Sequence, residues 1–256
     1  MRAALRKAGP GLAVALLALI AGFPVRAIAG PPYVTDDPEP VEYRHWEVYF
    51  ASIFEKQPDA WTATAPHIEI NYGAVPNLQL HTILPMTLYA PGEGASSYGY
   101  GDTELGAKYR FVQESDWRPQ IGSFPLLEVP SGSRARNLGS GHLQTFLPIW
   151  LQKSLGPWTS YGGGGYWINP GADKRNWWFT GLLIQYSVLP NLTPGLEIFH
   201  QTRQEIGGPS ETRFSLGFVW DLSDVQHIIA SAGRGLEGPN QVQGYLAYQL
   251  TFGPYP

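Results

Sequence analysis

The amino-acid sequence predicts an all-β protein, a transmembrane antiparallel β-barrel of about twelve strands. Three observations favour this fold class: an N-terminal export signal, apolar residues at every second position along most of the chain, and connections that alternate between short and long. A period of two is typical of strands with one apolar face, and no sustained helical periodicity follows residue 30.

The export signal covers residues 1–29. Basic residues open the chain, an apolar run follows at residues 12–20, and residues 27–29 read Ala-Ile-Ala, which is a small-residue cleavage pattern. A membrane-spanning helix needs about 20 apolar residues, and glycine, proline and arginine interrupt the run too early. We therefore expect an exported protein whose location is the bacterial cell outer membrane.

Composition excludes several classes of protein. The whole chain has 17 Lys+Arg and 21 Asp+Glu, and removal of residues 1–29 takes away four basic residues and no acid, which leaves 13 against 21 and a net charge of −8. Such an acidic chain argues against a nucleic-acid partner, which requires a basic surface. The chain has no cysteine, so disulfides and thiolate metal sites are excluded. We expect no cofactor.

The alternation of apolar and polar residues assigns faces to the strands. In the clearest stretch, Leu80 and Leu84 lie on the apolar face, and Gln79 and His81 lie on the opposite face. A soluble β-sandwich produces the same alternation, so the connections must decide between the two folds. Very short connections at residues 75–77, 189–191 and 223–224 alternate with longer ones that are rich in glycine, proline and charge.

This pattern predicts a barrel over residues 45–253, with both termini at the end that carries the short turns. The strands are expected to begin near His45, Pro66, Asn77, Asp102, Arg118, Gly141, Gly156, Trp177, Asn191, Thr212, Val225 and Asn240. Residues 30–44 are too rich in proline for a strand, and we expect a segment that plugs the barrel or remains in the periplasm as a loose tail. Aromatic residues are expected to form an interfacial girdle at the short-turn end: Tyr72, Phe111, Tyr186, Trp220 and Phe252.

Several sequence segments resemble the outer-membrane family named for the meta-pathway of phenol degradation. These are Val34-Thr35-Asp36-Asp37, His45-Trp46-Glu47, the segment Gly-Asp-Thr-Glu-Leu-Gly-Ala-Lys-Tyr-Arg-Phe at residues 101–111, and Glu128-Val129-Pro130-Ser131-Gly132. The segment at residues 101–111 carries most of the resemblance. The resemblance implies an outer-membrane channel or transporter that is often associated with uptake of aromatic or other apolar compounds.

The polar side chains that alternate with the apolar ones along the strands are the candidates for a solute-binding site. Because a basic residue that faces the middle of a bilayer costs about 2–4 kcal/mol, charged residues on these strands are expected to face the lumen. They either line the path of a solute or fix the strands by salt bridges. The candidates for the solute path are Glu69, His81, Asp102, Glu104, Lys108, Arg110, Glu128, Glu197 and Arg213.

Two further patterns have competing interpretations. His67 and Glu69 with His81 on the next strand suggest a metal site, but ordinary lumen polarity is the better explanation and we predict no metal. The glycine run at residues 162–165 lacks the lysine of a nucleotide-binding loop. We interpret this run as a bent wall segment that lets a lumenal plug approach closely.

These expectations combine into a passive channel for small solutes, with outer-membrane lipid and the barrel-assembly machinery as partners. No nucleophile elbow or zinc-protease motif is present, so we predict that the protein is not an enzyme. The alternatives are a barrel enzyme that acts on lipid and a structural or adhesion barrel that does not conduct. The sequence does not determine the oligomeric state.

Overall fold

The structure is a computed structural model that describes residues 31–239 and 241–254. The predicted signal peptide at residues 1–29 lies outside the described residues. The described chain folds into antiparallel strands that form a closed barrel: β1 (Trp46–Lys56), β2 (Ala60–Val75), β3 (Leu78–Pro91), β4 (Ser97–Tyr100), β5 (Thr103–Val112), β6 (Gln120–Ser123), β7 (Leu126–Val129), β8 (Gln144–Leu155), β9 (Trp158–Ile168), β10 (Trp177–Tyr186), β11 (Leu192–Gln201), β12 (Glu211–Asp221), β13 (Gln226–Glu237) and β14 (Val242–Phe252).

These segments build a barrel wall of twelve strands. β4 and β5 pair with β3 one after the other, and β6 and β7 both lie between β5 and β8, so each of these two pairs forms one interrupted wall strand. β1 pairs with β14 from Trp46 opposite Phe252 to Lys56 opposite Val242, and this pairing closes the sheet. The predicted fold class is confirmed. No described helix is long and apolar enough to cross a membrane.

Strand phase follows the sequence prediction. In β3, Gln79 is buried at 4% exposure and its neighbour Leu80 is 48% exposed. In β10, Leu182 is 48% exposed and Leu183 is completely buried. Because the exposed phase is apolar and the buried phase contains most of the polar side chains, the barrel has an outward face suited to lipid and a polar interior.

The barrel has two dissimilar ends. One end, here called the short-turn end, carries the chain termini and the connections at residues 76–77, 113–119, 156–157, 187–191 and 222–225. The other end, the long-loop end, carries the connections at residues 57–59, 92–96, 130–143, 169–176 and 202–210 and the β13–β14 connection. The predicted girdle residues all lie where their strands reach the short-turn end, and Trp46 stacks on Tyr72 there with ring centroids 4.3 Å apart.

Residues 31–44, called the N-terminal segment below, lie inside the lumen in its short-turn half. Thr35 and Asp37 are completely buried, and their partners are inward-facing strand residues. Glycines make room for the segment: a Cβ at Gly181 would collide with the Thr35 side chain, and one at Gly195 would lie 2.5 Å from the Tyr33 hydroxyl oxygen. The close approach therefore requires glycine at these wall positions.

The interpretation of the glycine run at residues 162–165 is wrong in one respect. Cβ atoms at these positions would meet the neighbouring strands β8 and β10, and no atom of the N-terminal segment is among their nearest contacts. The run lets wall strands and bulky side chains such as Trp150 pack closely. The glycines that accommodate the segment are scattered singly on β2, β6, β10, β11 and β12, where no run marks them in the sequence.

An aromatic cluster occupies the lumen beside β6 to β11. It consists of Phe124, Phe146, Trp150, Trp177, Phe179 and Phe199, with Leu126 and Trp167 packed against it. Phe146 stacks on Trp167 at 4.8 Å, and Trp167 stacks on Trp177 at 5.4 Å. Because offset stacks of this kind stabilise a packed core, this side of the lumen is filled by side chains, and the polar residues of β1 to β7 face it.

Candidate functional site: the barrel lumen

Lys108 is the anchor of the N-terminal segment. Its Nζ atom donates to Asp36 Oδ1 at 2.8 Å and to Asp37 Oδ2 at 3.3 Å, and it lies 5.0 Å from the ring centre of Phe124. Lys108 has only 3% exposure. A buried cation needs paired carboxylates to offset its desolvation, so Lys108 and the two aspartates form one charge cluster between the wall and the segment.

The two aspartates of this cluster respond to it in opposite ways. Burial acts to raise the pKa of Asp36, but attraction to Lys108 and its hydrogen bonds outweigh burial and hold the pKa of Asp36 below its ordinary value of 3.8. Burial raises the pKa of Asp37 well above 3.8, and the Asp36 charge beside it adds to that rise against the pull of Lys108. Asp36 is therefore the carboxylate that pairs with Lys108 most firmly.

A second anchor holds Glu39. Gln120 and Gln152 donate to its Oε2 atom at 3.0 Å and 3.1 Å, and the guanidinium of Arg110 lies 3.6 Å from Oε1. Arg110 also donates twice to Asn77 Oδ1 and once to Gln120. This arrangement ties the segment to β5, β6 and β8 at the short-turn end.

A third anchor joins the start of the segment to β11 and β13. Thr35 donates its backbone N–H to Glu197 Oε1 at 2.5 Å, and Ser231 Oγ donates to the backbone oxygen of Pro32 at 2.6 Å. Glu197 is completely buried. The segment is thus held across the full width of the lumen, from β13 on one side to β3 on the other, where Val41 N–H donates to Gln79.

Inward side chains of β2, β3 and β5 form a continuous hydrogen-bonded network. Asn71 Nδ2 donates to Glu69 at 2.8 Å, which leaves Asn71 Oδ1 to accept from Gln79 at 2.9 Å and from His81 Nδ1 at 2.6 Å. His81 Nε2 lies 2.9 Å from Glu104 Oε1. His81 therefore links Asn71 to Glu104, with one ring nitrogen at hydrogen-bond distance from each.

The long-loop half of the lumen contains an open cavity of about 250 Å³. Its polar lining includes the carboxylates Glu55, Asp102, Glu104 and Glu128, and the imidazole of His67. A larger adjoining space of about 480 Å³ extends to residues 137–140 of the long loop. These are the spaces that a solute entering from the long-loop end meets first.

Asp102 holds the loop at residues 130–143 over this cavity. Its Oδ1 atom accepts from Gly132 N–H at 2.8 Å, and its Oδ2 atom accepts from the backbone N–H and the hydroxyl of Ser140 at 2.5 Å and 2.8 Å. Leu138 of the same loop is buried at 3% exposure. A carboxylate that accepts three hydrogen bonds fixes the loop as a wall of the cavity.

Arg213 forms a separate ion cluster on β12. Its Nη2 atom donates to both oxygens of Glu211 at 2.9 Å and to Glu55 at 3.2 Å, and Nη1 donates to Gln243. Inward strand positions nonetheless carry more acid than base. The acids are Glu47, Glu55, Glu69, Glu104, Glu128, Glu197, Glu211 and Asp221. The lysines and arginines are Lys108, Arg110 and Arg213.

The predicted site residues fall into three groups. Lys108, Arg110 and Glu197 contact the N-terminal segment. Glu69, His81 and Glu104 belong to the hydrogen-bonded network. Asp102, Glu104 and Glu128 line the cavity, and Arg213 lies beside it because it pairs with Glu55. The metal site considered for His67, Glu69 and His81 is not formed. His67 contacts Thr64, and the described residues include no group of three His, Asp or Glu side chains that could hold a metal ion. A role for these residues on a solute path remains a prediction.

Sequence reasoning missed Asp36, Asp37 and Glu39. These three residues lie outside the strands, so no periodicity marks them. Their partners are more than 70 positions away in the chain. The run Val34-Thr35-Asp36-Asp37 was notable only for its family resemblance.

Comparisons with known proteins give a fold but no close relative. No family model matches the sequence, and no curated protein matches it. Solved structures do match. An outer membrane channel from Pseudomonas putida F1 superposes with a TM-score of 0.70 at 17% identity, over 88% of this chain and 100% of that one.

Two further structures show the breadth of this likeness. The KdgM porin in complex with disordered oligogalacturonate gives a TM-score of 0.57 at 12% identity, over 80% of this chain and 99% of that one. The translocator domain of the autotransporter NalP from Neisseria meningitidis gives 0.54 at 10% identity, over 82% and 90% of the two chains. The chain therefore has the fold of outer-membrane β-barrel proteins, which is shared by channels, porins and translocator domains.

Proposed function

We propose that this protein is an outer-membrane channel for the passive uptake of small solutes, and that the N-terminal segment gates it. The barrel fold alone does not choose between a channel and a translocator domain. The observation that carries the proposal is the division of the lumen: one half opens to the long-loop end as a polar cavity, and the N-terminal segment fills the other half.

The way the segment is held favours a gate over a fixed part of the wall. A strand within the sheet is held by a ladder of backbone hydrogen bonds along its length. Within residues 31–44, strand-like pairing is limited to the single bridge between Tyr43 and Gly73. The remainder is held by side-chain contacts, chiefly those of Lys108, Glu197 and Gln79. Such contacts can break without disrupting the barrel, whose closure depends on β1 and β14.

The solutes are proposed to be small organic molecules with aromatic or otherwise apolar bodies. The aromatic cluster of β6 to β11 makes one side of the lumen apolar and packs against the charged network, with Phe124 5.1 Å from His81 between ring centroids. The cavity at the long-loop end has the apolar side chains of Ile53, Ile83 and Pro85 in its lining, which suits an apolar body. The resemblance to the phenol-degradation family points to the same class. Passage is driven by the concentration gradient, and lumen charges tune selectivity.

The location and assembly of the protein follow from this function. We propose export through the signal peptide at residues 1–29, insertion by the barrel-assembly machinery, and an orientation with the short-turn end in the periplasm. In that orientation the cavity faces outward and meets solutes before the gate does. The N-terminal segment then lies at the periplasmic side, where partners that release it have access.

Planar-bilayer recording with purified protein tests the proposal. We expect rare, discrete openings from the wild type and frequent openings once the segment is displaced. Vesicle uptake of sugars, organic acids and monocyclic aromatics then compares the solute classes. A barrel that stays silent after the segment is displaced contradicts the channel, and lipid hydrolysis by the same preparation supports the enzyme instead.

A further inference from the structure

We infer that a buried chain of hydrogen bonds couples the N-terminal segment to the 250 Å³ cavity at the long-loop end. The coupling rests on the proposed gating by residues 31–44 and adds the residues through which a change in one half of the lumen reaches the other. The chain has Glu104 at one end, in the cavity wall, and Val41 of the segment at the other.

Four successive contacts connect the two ends of this chain. Val41 N–H donates to Gln79 Oε1 at 2.9 Å, and Gln79 Nε2 donates to Asn71 Oδ1 at 2.9 Å. The same Asn71 oxygen lies 2.6 Å from His81 Nδ1, and His81 Nε2 lies 2.9 Å from Glu104 Oε1. The four residues before Glu104 are each at most 7% exposed, so bulk water has little access to these contacts.

Each amide in the chain can face only one way. A backbone N–H can only donate, so Gln79 must present its oxygen to Val41 and its Nε2 atom to Asn71. Asn71 donates its Nδ2 atom to Glu69 at 2.8 Å, which leaves its oxygen for the other two links. Rotation of one amide therefore places two donors or two acceptors face to face at the next link, and the disturbance passes along the chain.

Asn71 is the link on which the coupling depends. Glu104 positions the His81 ring, and His81 Nδ1 in turn holds the Asn71 oxygen in place. That oxygen keeps the Gln79 amide turned with its own oxygen toward Val41. Once the Glu104 carboxylate is drawn away from His81, the Asn71 amide can rotate. Because buried hydrogen bonds polarise one another, a weaker bond at the cavity end also weakens the bond that holds the segment.

A second acid lines the same cavity without joining the chain. Glu128 lies directly opposite Glu104 in the pairing of β7 with β5, and both line the cavity. The Glu128 side chain is hydrogen-bonded to Asp102, which holds the 130–143 loop. The two glutamates are therefore a matched pair: they share one position along the barrel, and only Glu104 is linked to the segment through His81.

Glu104→Gln and Glu128→Gln test the coupling, because each replaces one carboxylate of the cavity wall by an amide of the same shape. The measurement is chymotrypsin cleavage after Tyr33, which is buried while the segment is docked. We expect Glu104→Gln to accelerate this cleavage roughly fivefold, the effect of losing about one hydrogen bond, and Glu128→Gln to leave it unchanged. A double-mutant cycle with Asn71→Leu tests the link itself. In that background the chain is already broken, so Glu104→Gln should add nothing.

The outcomes separate the coupling from the proposed function. The coupling is overturned, whether or not the barrel conducts, if Glu104→Gln has no effect, if Glu128→Gln accelerates cleavage equally, or if the effect of Glu104→Gln persists in full beside Asn71→Leu. The expected cleavage pattern without any bilayer openings keeps the coupling and contradicts the channel. Heat-modifiable migration on gels verifies a folded barrel for each variant, and Gln79→Met replaces Asn71→Leu in the cycle if the latter does not fold.

Discussion

The two halves of the lumen are stabilised in different ways. In the short-turn half, the three acids that the N-terminal segment places in the lumen have partners: Lys108 faces two aspartates, and Glu39 accepts from two glutamines beside Arg110. In the long-loop half, Glu104 and Glu128 lie opposite each other in the wall of an open cavity that no lysine or arginine lines. The short-turn half has the properties of a closure, and the long-loop half has those of an open polar vestibule.

The difference shows which half of the lumen is stabilised by paired, buried charges. Burying charges costs several kcal/mol per ion unless they are paired and hydrogen-bonded. The short-turn half meets that condition with residues of the segment itself, so the segment and the wall stabilise each other. The long-loop half instead keeps its carboxylates at the wall of an open cavity, where solutes can reach them.

The largest expected effect comes from removing Lys108, the cation that Asp36 and Asp37 share in the short-turn half. Lys108→Met leaves Asp36 and Asp37 buried without a partner, and breaking a buried pair in this way typically costs about 3–5 kcal/mol. We expect the segment to leave the lumen, so that chymotrypsin cleaves after Tyr33, which is buried in the closed barrel, and bilayer openings become frequent.

Lys153→Met is the control for that experiment. Lys153 pairs with Glu114 at 2.7 Å near the same end of the barrel, but both side chains are about one-quarter exposed and neither touches the segment. Partly exposed pairs of this kind contribute about 0–1 kcal/mol, so the bond after Tyr33 should stay protected. If this bond is equally protected in both variants, Lys108 is not the anchor.

A smaller effect is expected in the long-loop half. Asp102→Ala deletes three hydrogen bonds to the 130–143 loop, and a hydrogen bond to a charged group contributes about 1.5–3 kcal/mol. We expect trypsin to cleave rapidly after Arg134 or Arg136 while the bond after Tyr33 remains protected from chymotrypsin. Asp116→Ala, in the exposed 113–119 turn, should leave the loop resistant. Release of the N-terminal segment by Asp102→Ala would show that the loop and the segment are not independent.

The stability of the contact between the N-terminal segment and the wall should depend on pH in a different way for Asp36 and for Asp37. Asp36 has a lowered pKa, so its contribution is present above 3.8 and is lost as pH falls through that lowered value. Asp37 has a raised pKa, so its contribution is present below 3.8 and is lost as pH rises through the raised value.

At pH 7 we therefore expect Asp36→Asn to accelerate chymotrypsin cleavage after Tyr33, and Asp37→Asn to leave it unchanged or slower. Relative to cleavage of a free peptide, cleavage of the wild type should slow as the pH falls through the raised pKa of Asp37, and Asp37→Asn should abolish that trend. The opposite ranking of the two variants at pH 7 contradicts the assignment of the charged partner to Asp36.

Much of the fold was predictable because barrel strands repeat a two-residue pattern. Gln79 and Leu80 fall on opposite faces as their polarity indicates, and the same holds for Arg213 and Leu216. The prediction placed the start of β2 at Pro66, but the strand begins at Ala60. The proline lies at a β-bulge between Thr64 and His67, a position where the missing N–H does not interrupt the ladder.

The candidate site was only partly predictable. Lumen-facing acids such as Glu104 and Glu128 follow from strand phase, but their direct opposition depends on the register of β5 and β7, which a sequence pattern does not fix. The anchor of the N-terminal segment was not predictable either. A contact between Lys108 and Asp36 joins distant parts of the chain and leaves no periodic signal.

The most direct test of the account is a reversible cross-link between the segment and the wall. Because the chain has no cysteine, a Thr35→Cys, Gly181→Cys double variant contains one possible disulfide. A Cβ at Gly181 lies 3.0 Å from the Thr35 Cβ, so the segment must move back slightly to reach the separation of about 3.5–4.5 Å that a disulfide spans. Gly181→Cys alone collides with the Thr35 side chain and should open the barrel with or without reductant. We predict that the oxidised double variant stays closed in planar bilayers and that reduction restores openings, while each single variant ignores the reductant. Full conductance from the oxidised, cross-linked barrel would contradict the claim that residues 31–44 gate the lumen.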